Sequence, residues 1–214
     1  KVYTGTLADI GGFSFNYHKH IHCGEGGVVV TNDDSLAQRL CLIRNHGEAV
    51  ISSNDASQLS NMLGYNFRMG EIEAAIASVQ LTKLAERVAS RQRVAAELNS
   101  ALSELEGLKV PTVSEEATHA YYVYGLVLDI KSLGVSRDLL VQALRAEGVP
   151  AIMSGYQNVH LLPVFRNKIA YGTKGFPWTS PYCSTHIQYA PGLCPIAEEL
   201  HNETFLGLGI CMNE

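Results

Sequence analysis

The chain of 214 residues has no run of lysine and arginine, and its net charge is -5. A general binder of nucleic acid or of an anionic membrane surface needs a basic patch, so neither class fits. No apolar stretch reaches the ~20 residues that a bilayer-crossing helix needs. The first residues, Lys1-Val2-Tyr3-Thr4-Gly5-Thr6, lack the basic-then-apolar pattern of a secretion signal. There is no Cys-x-x-Cys. The five cysteines, Cys23, Cys41, Cys183, Cys194 and Cys211, are an odd, widely spaced set. That argues against a disulfide scaffold or zinc ribbon and suits a reduced, cytoplasmic protein. Internal repeats and low-complexity tracts are also missing. What remains is 46% hydrophobic and 17% charged. A sizeable core is therefore possible, in one large domain or in one domain and a small one.

Two short apolar segments come first. Ile10 to Phe15 and Gly26 to Thr31 read as buried strands, the second through its β-branched Val28-Val29-Val30. Asn32-Asp33-Asp34 supplies a helix N-cap. Leu36, Leu40 and Ile43 follow at i, i+4 and i+7, and Asn45-His46-Gly47 ends that helix. Residues 48–64 read as a long loop. A helical pattern then runs from about Glu71 to Leu105. At 1.5 Å per residue its ~35 residues reach roughly 50 Å, so it links two modules or kinks once. The domain division is placed here, 1–107 and 108–214. Beyond it, Ala120 to Leu128 reads as a strand. Ser136 caps a helix through Leu144 that Gly148 ends, and Val149 to Met153 is another strand. Residues 154–195 hold most of the prolines and read as irregular.

Lys19 is the most informative side chain. It lies between the first two strands, among His18, His20 and His22 and before Gly24-Glu25-Gly26-Gly27. A free lysine amine titrates near ~10.4 and is a poor nucleophile at neutral pH. Burial beside other cationic groups lowers that value, and such lysines condense with carbonyl compounds. The alternative from local physics is an exposed lysine at a strand end. A second alternative is a metal site. If the chain is extended there, His18, His20 and His22 share one face beside Cys23.

The order of motifs resembles the DegT/DnrJ/StrS-type sugar aminotransferases, pyridoxal-phosphate enzymes of the aspartate-aminotransferase fold. The likeness rests on Gly11-Gly12-Phe13-Ser14-Phe15, Lys19, Gly24-Glu25-Gly26-Gly27 and Val30-Thr31-Asn32. It continues through Arg44-Asn45-His46-Gly47, Gly64-Tyr65-Asn66-Phe67-Arg68-Met69-Gly70-Glu71-Ile72 and His160-Leu161-Leu162-Pro163-Val164-Phe165. It covers nearly the whole chain. The implied fold is α/β: part of an aspartate-aminotransferase-like large domain, a long linking helix, and a small α/β C-terminal domain. The resemblance also implies an N-terminal segment before residue 1 and a missing last helix, so the chain reads as a C-terminal portion clipped at its end.

The family likeness implies roles. Lys19 matches the lysine that condenses with the cofactor aldehyde and then acts as general acid and base. Ser14 matches a serine that donates to the cofactor phosphate. Asn66 matches an asparagine that reaches the phosphate of a neighbouring subunit, with Arg68 close to the same site. His160 and His119 resemble histidines near the sugar pocket. Related dehydratases carry histidine at the lysine position, so Lys19 favours amino transfer. The implied cofactor is pyridoxal 5'-phosphate, and no metal is expected. The implied substrates are glutamate or glutamine as donor and a keto nucleotide sugar or cyclitol as acceptor. The implied assembly is a homodimer with a shared active site. The competing reading is a truncated, inactive remnant that serves as an oligomeric interaction module. A His-cluster metal-binding protein ranks below it.

Overall fold

The computed structural model describes residues 2–48, 62–184 and 186–210. The chain divides into two compact units, Lys1–Val88 and Ala89–Glu214.

In the first unit, β1 (Gly11–Ser14) pairs antiparallel with β2 (Gly27–Val30), with Gly11 opposite Val30 and Ser14 opposite Gly27. Both strands fall where the apolar segments predict them. Their burial does not. Phe13, Val28 and Val29 are 40%, 40% and 51% exposed. The two strands pair only with each other among the described residues, and a two-stranded ribbon leaves apolar side chains open.

Helix α1 (Asp34–Arg44) starts as expected. Asp33 is the N-cap, and its carboxylate accepts from the Leu36 N–H at 2.9 Å. Leu36, Leu40 and Ile43 are only half-buried, while Leu42 is the deepest residue of the helix. The helix stops at Asn45, where His46 and Gly47 both take positive φ. The expected loop over 48–64 lies mostly outside the described residues. The chain then runs back along the helix end. Tyr65 N–H donates to Ile43 O at 2.7 Å, and Phe67 N–H donates to Arg44 O at 2.9 Å. Any side chain at Gly64 would collide with the backbone of His46 and Gly47, so only glycine fits this close approach.

The long helical pattern appears as two helices, α2 (Glu71–Leu81) and α3 (Leu84–Leu102). The break is at Thr82-Lys83. The Thr82 hydroxyl donates back to Val79 O at 2.8 Å, satisfying a carbonyl that a continuous helix would use.

The second unit is built on a four-stranded antiparallel sheet. Its strands are β3 (Leu108–Lys109), β4 (Tyr124–Leu128), β5 (Ile152–Met153) and β6 (Phe205–Leu208), in the order β3-β4-β6-β5. Strand β4 begins later than its sequence predicts, because Tyr121 sits at φ 49 and interrupts the extended chain. Along β4, Tyr124, Leu126 and Leu128 alternate inward and are buried. Between β4 and β5 come a short turn of helix, α4 (Ile130–Leu133), and α5 (Arg137–Ala146). The Ser136 hydroxyl caps α5 by accepting from Leu139 N–H at 3.3 Å. The strand–helix–strand reading holds in sequence order only. Strand β6, which sequence patterning missed, lies between β4 and β5 and pairs with both.

Ala95, Tyr121, Tyr124, Leu126, Leu128, Val141, Ile152, Leu206 and Ile210 form one core in this unit. Tyr124 is fully buried, and its hydroxyl donates to Asn99 Oδ1 at 2.7 Å, so the ring's one polar atom is satisfied. Residues 154–195 are largely irregular, as predicted, with short helical turns at Val159–Leu161 and α6 (Pro163–Arg166). Helix α7 (Pro195–Glu199) runs into a π-turn over Leu200–Thr204 before β6.

Candidate active site

The connection from β1 to β2 carries Lys19. Phe15 N–H donates to Gly26 O at 2.8 Å and Cys23 N–H to Phe15 O at 3.1 Å, which closes the loop at its base. Asn16 O accepts from Lys19 N–H at 2.9 Å, so residues 16–19 form a tight turn. Lys19 and His20 are half-buried, and Ser14 is exposed. Arg87 Nη1 donates to His20 O at 2.7 Å, tying the start of α3 to the turn.

Of the loop glycines Gly24, Gly26 and Gly27, only Gly24 takes positive φ, at 91. Gly26 is needed for space instead. A side-chain carbon there would sit 2.7 Å from Cys23 Sγ and 3.0 Å from Met69 Cε. Glu25 holds the loop, its Oε1 accepting from Asn16 Nδ2 at 2.7 Å.

The metal reading loses its geometric premise. His18, His20 and His22 follow a turn rather than an extended strand, so alternate residues do not share a face. Among the described residues, no group of three or more His, Cys, Asp or Glu side chains is gathered to hold a metal ion. His22 Nδ1 is buried without a hydrogen-bond partner among those residues. Cys23, Cys41, Cys183 and Cys194 carry thiols rather than disulfides.

Asn66 and Arg68 lie on the segment that returns past α1. Both are exposed. Asn66 forms an isolated antiparallel bridge with Asn45, and Arg68 Nη1 donates to Asn45 Oδ1. Asn45 is buried and organises this corner, a role that sequence patterning did not single out. Met69 packs near Gly26, so the segment bearing Asn66 and Arg68 abuts the lysine loop within one unit.

The two remaining candidates belong to the other unit. His160 Nε2 lies 2.9 Å from Glu198 Oε1, with side chains 12% and 15% exposed. Glu198 also accepts from Gly192 N–H at 2.9 Å and from Cys194 N–H at 3.2 Å. The Gly192 N–H, then the His160 side chain, hold its carboxyl below the usual glutamate range. An ionised carboxylate only accepts, so His160 Nε2 is the donor of this pair. No spacing rule links residues 38 positions apart, so Glu198 was not legible in the sequence. His119 is exposed, and its Nδ1 accepts from Tyr121 N–H at 2.8 Å, which braces the bend before β4.

A glycine-closed hairpin, followed by helices and an antiparallel-sheet unit, gives a mixed α/β chain. The chain belongs to the DegT/DnrJ/EryC1/StrS aminotransferase family, whose sequence model matches residues 2–204. It is 28% identical over 179 residues to the spore coat polysaccharide biosynthesis protein SpsC of Bacillus subtilis, covering 81% of this chain and 46% of that one. The aminotransferase from Psychrobacter cryohalolentis superposes with a TM-score of 0.76 at 27% identity, over 96% of this chain and 51% of that one. S. venezuelae DesV, solved with a ketimine intermediate, gives 0.73 at 26% identity, over 96% and 47%. An E. coli GDP-4-keto-6-deoxy-D-mannose-3-dehydratase with bound hydrated PLP gives 0.72 over 97% and 51%. At 23% identity that last likeness concerns the fold alone. The chain spans about half the length of the curated relatives it matches. Among the described residues, no helix is long and apolar enough to cross a membrane.

Proposed function

We propose that this chain contributes the lysine-bearing part of a cytoplasmic aminotransferase. The enzyme would move an amino group from glutamate or glutamine to a keto nucleotide sugar or cyclitol. The observation that carries the reading is the Ser14–Lys19 hairpin. Ser14 Oγ accepts from Asn16 N–H at 3.2 Å, which leaves the hydroxyl proton to donate outward. Ser14 is exposed enough for an anion to reach, and Lys19 sits half-buried one turn further on. This pair suits the two ends of pyridoxal phosphate, its phosphate and its aldehyde.

When bound, the cofactor supplies an electron sink for the substrate carbon. The protein's part is to hold and to move protons. Ser14 would donate to the phosphate. The Lys19 amine would hold the aldehyde end of the cofactor and would carry a proton to and from the substrate carbon. In this reading residues 1–107 serve the cofactor and 108–214 form the small domain. Asn66 serves the phosphate of a neighbouring subunit, Arg68 serves the substrate near the same intersubunit site, and the site is completed by a two-fold dimer. His160, oriented by Glu198, and His119 serve the sugar.

Incubation with pyridoxal phosphate should give an absorbance band that borohydride fixes and that Lys19→Ala abolishes. A band unchanged in Lys19→Ala overturns the assignment.

The second reading, an oligomeric module without catalysis, draws on Phe13, Val28, Val29, Ile72 and Val79, all at least 40% exposed. It requires self-association on a sizing column without any Lys19-dependent band.

A further inference from the structure

Every polar group of Asn16 is engaged inside the lysine loop. Its N–H donates to Ser14 Oγ at 3.2 Å. Its backbone carbonyl accepts from Lys19 N–H at 2.9 Å. Its Oδ1 accepts from His18 N–H at 3.2 Å, and its Nδ2 donates to Glu25 Oε1 at 2.7 Å. One residue thus touches both groups assigned to the ligand, Ser14 through its hydroxyl and Lys19 through its backbone.

Glu25 gives this arrangement its direction. A carboxylate only accepts, so it requires the NH2 end of the Asn16 amide to face it. That leaves the carbonyl end for His18, which makes an Asx-turn across residues 16–18. Glu25 stands on the opposite limb of the loop, beyond Gly24, so the bond joins the two limbs between which Lys19 is carried. It is short and charge-assisted, the stronger kind of hydrogen bond.

We propose that Asn16, locked by Glu25, is a positioning residue that sets the Ser14 hydroxyl and the Lys19 turn in one geometry, so that both engage a single phosphate-bearing aldehyde. This rests on the function proposed above. A hydroxyl and an amine held together gain from pre-organisation, and a loose loop forfeits that gain. The bond is also reversible in sense. An aspartate at 16 facing a glutamine at 25 restores one donor and one acceptor, whereas an aspartate facing Glu25 places two carboxylates together.

The test uses the whole chain. Wild type, Lys19→Ala, Asn16→Asp, Glu25→Ala and the double variant Asn16→Asp/Glu25→Gln are incubated with pyridoxal 5'-phosphate and, separately, with pyridoxal. In each case the amine condenses with the aldehyde with loss of water, and borohydride reduces the resulting C=N bond. Peptide mapping then reads the label at Lys19 against Lys83, Lys109, Lys168 and Lys174. Circular dichroism checks each variant's fold.

Wild type should label at Lys19 and prefer the phosphate form. Asn16→Asp should lose about tenfold or more of that labelling, the scale of one hydrogen bond to a charged group, together with the phosphate preference. The double variant should recover to within about threefold of wild type. Glu25 is exposed, so Glu25→Ala is expected to fold and to lose labelling even where Asn16→Asp does not fold.

Absence of Lys19-selective labelling in wild type overturns the proposed function and this inference with it. Selective labelling in wild type that persists in Asn16→Asp or Glu25→Ala overturns the positioning role alone. Loss in Asn16→Asp without recovery in the folded double variant overturns the pairing with Glu25.

Discussion

The two units of this chain solve the burial problem differently. The second closes a core on itself. Tyr124, Leu126, Leu128, Val141 and Leu206 meet between sheet and helices, and Tyr124 and Leu206 are 0% exposed. The first buries Ile21, Cys23, Leu42 and Ala77, while its hairpin valines and much of α2 stay open. Yet the first carries Ser14 and Lys19, the pair proposed to serve the cofactor. Its order is local and polar, made of caps, turns and the Asn16–Glu25 bond, so Lys19 is held by hydrogen bonds more than by packing. A self-sufficient core and the proposed site fall in different stretches of one chain.

The contrast is broken most forcefully in the core. Leu206→Ala should destabilise the second unit by about 3 kcal/mol, through lost transfer energy and the cavity left behind. Urea unfolding followed by Trp178, the single tryptophan and a residue of that unit, measures it. A loss below about 1 kcal/mol would mean that the core is looser than its burial implies.

A smaller effect is expected at the Glu198–His160 pair. Gly192 N–H and His160 depress the Glu198 pKa. The stability it contributes is therefore complete above the ordinary glutamate range and is lost as pH falls through the depressed value. Glu198→Gln should lower the thermal midpoint at neutral pH, and the gap to wild type should close in acid. A gap that does not change with pH removes the electrostatic role.

Smallest of all should be Val29→Thr on β2, within about 0.5 kcal/mol, because an exposed side chain loses little when changed. Thermal unfolding by circular dichroism reads it. A cost above about 1 kcal/mol would sharpen the comparison the other way, by showing that another surface covers the hairpin in solution.

Local signals were legible wherever the physics is local. Asp33 and Ser136 cap helices three residues ahead of the amides they satisfy, and that spacing is written in the chain. The stop at Asn45-His46-Gly47 is equally visible. Lys19 stood out by its neighbours, and the motif order led to the family whose model matches residues 2–204. Strand β6 was not legible, since Phe-Leu-Gly-Leu carries no alternation and is extended because β4 and β5 flank it. The long-range bonds of Asn45 and Glu198 were missed for a related reason. Their partners, Arg68 and His160, lie 23 and 38 residues away.

The amino-acid order alone determined the helix starts and stops, the glycine-closed loop and the placement of serine and lysine five residues apart, because each depends on neighbours within about one turn. Only the folded chain decided that Val28 and Val29 stay exposed, that β6 enters the middle of a sheet and that Asn16 faces Glu25. Burial and long-range pairing depend on which segments meet, and no window of residues contains that information.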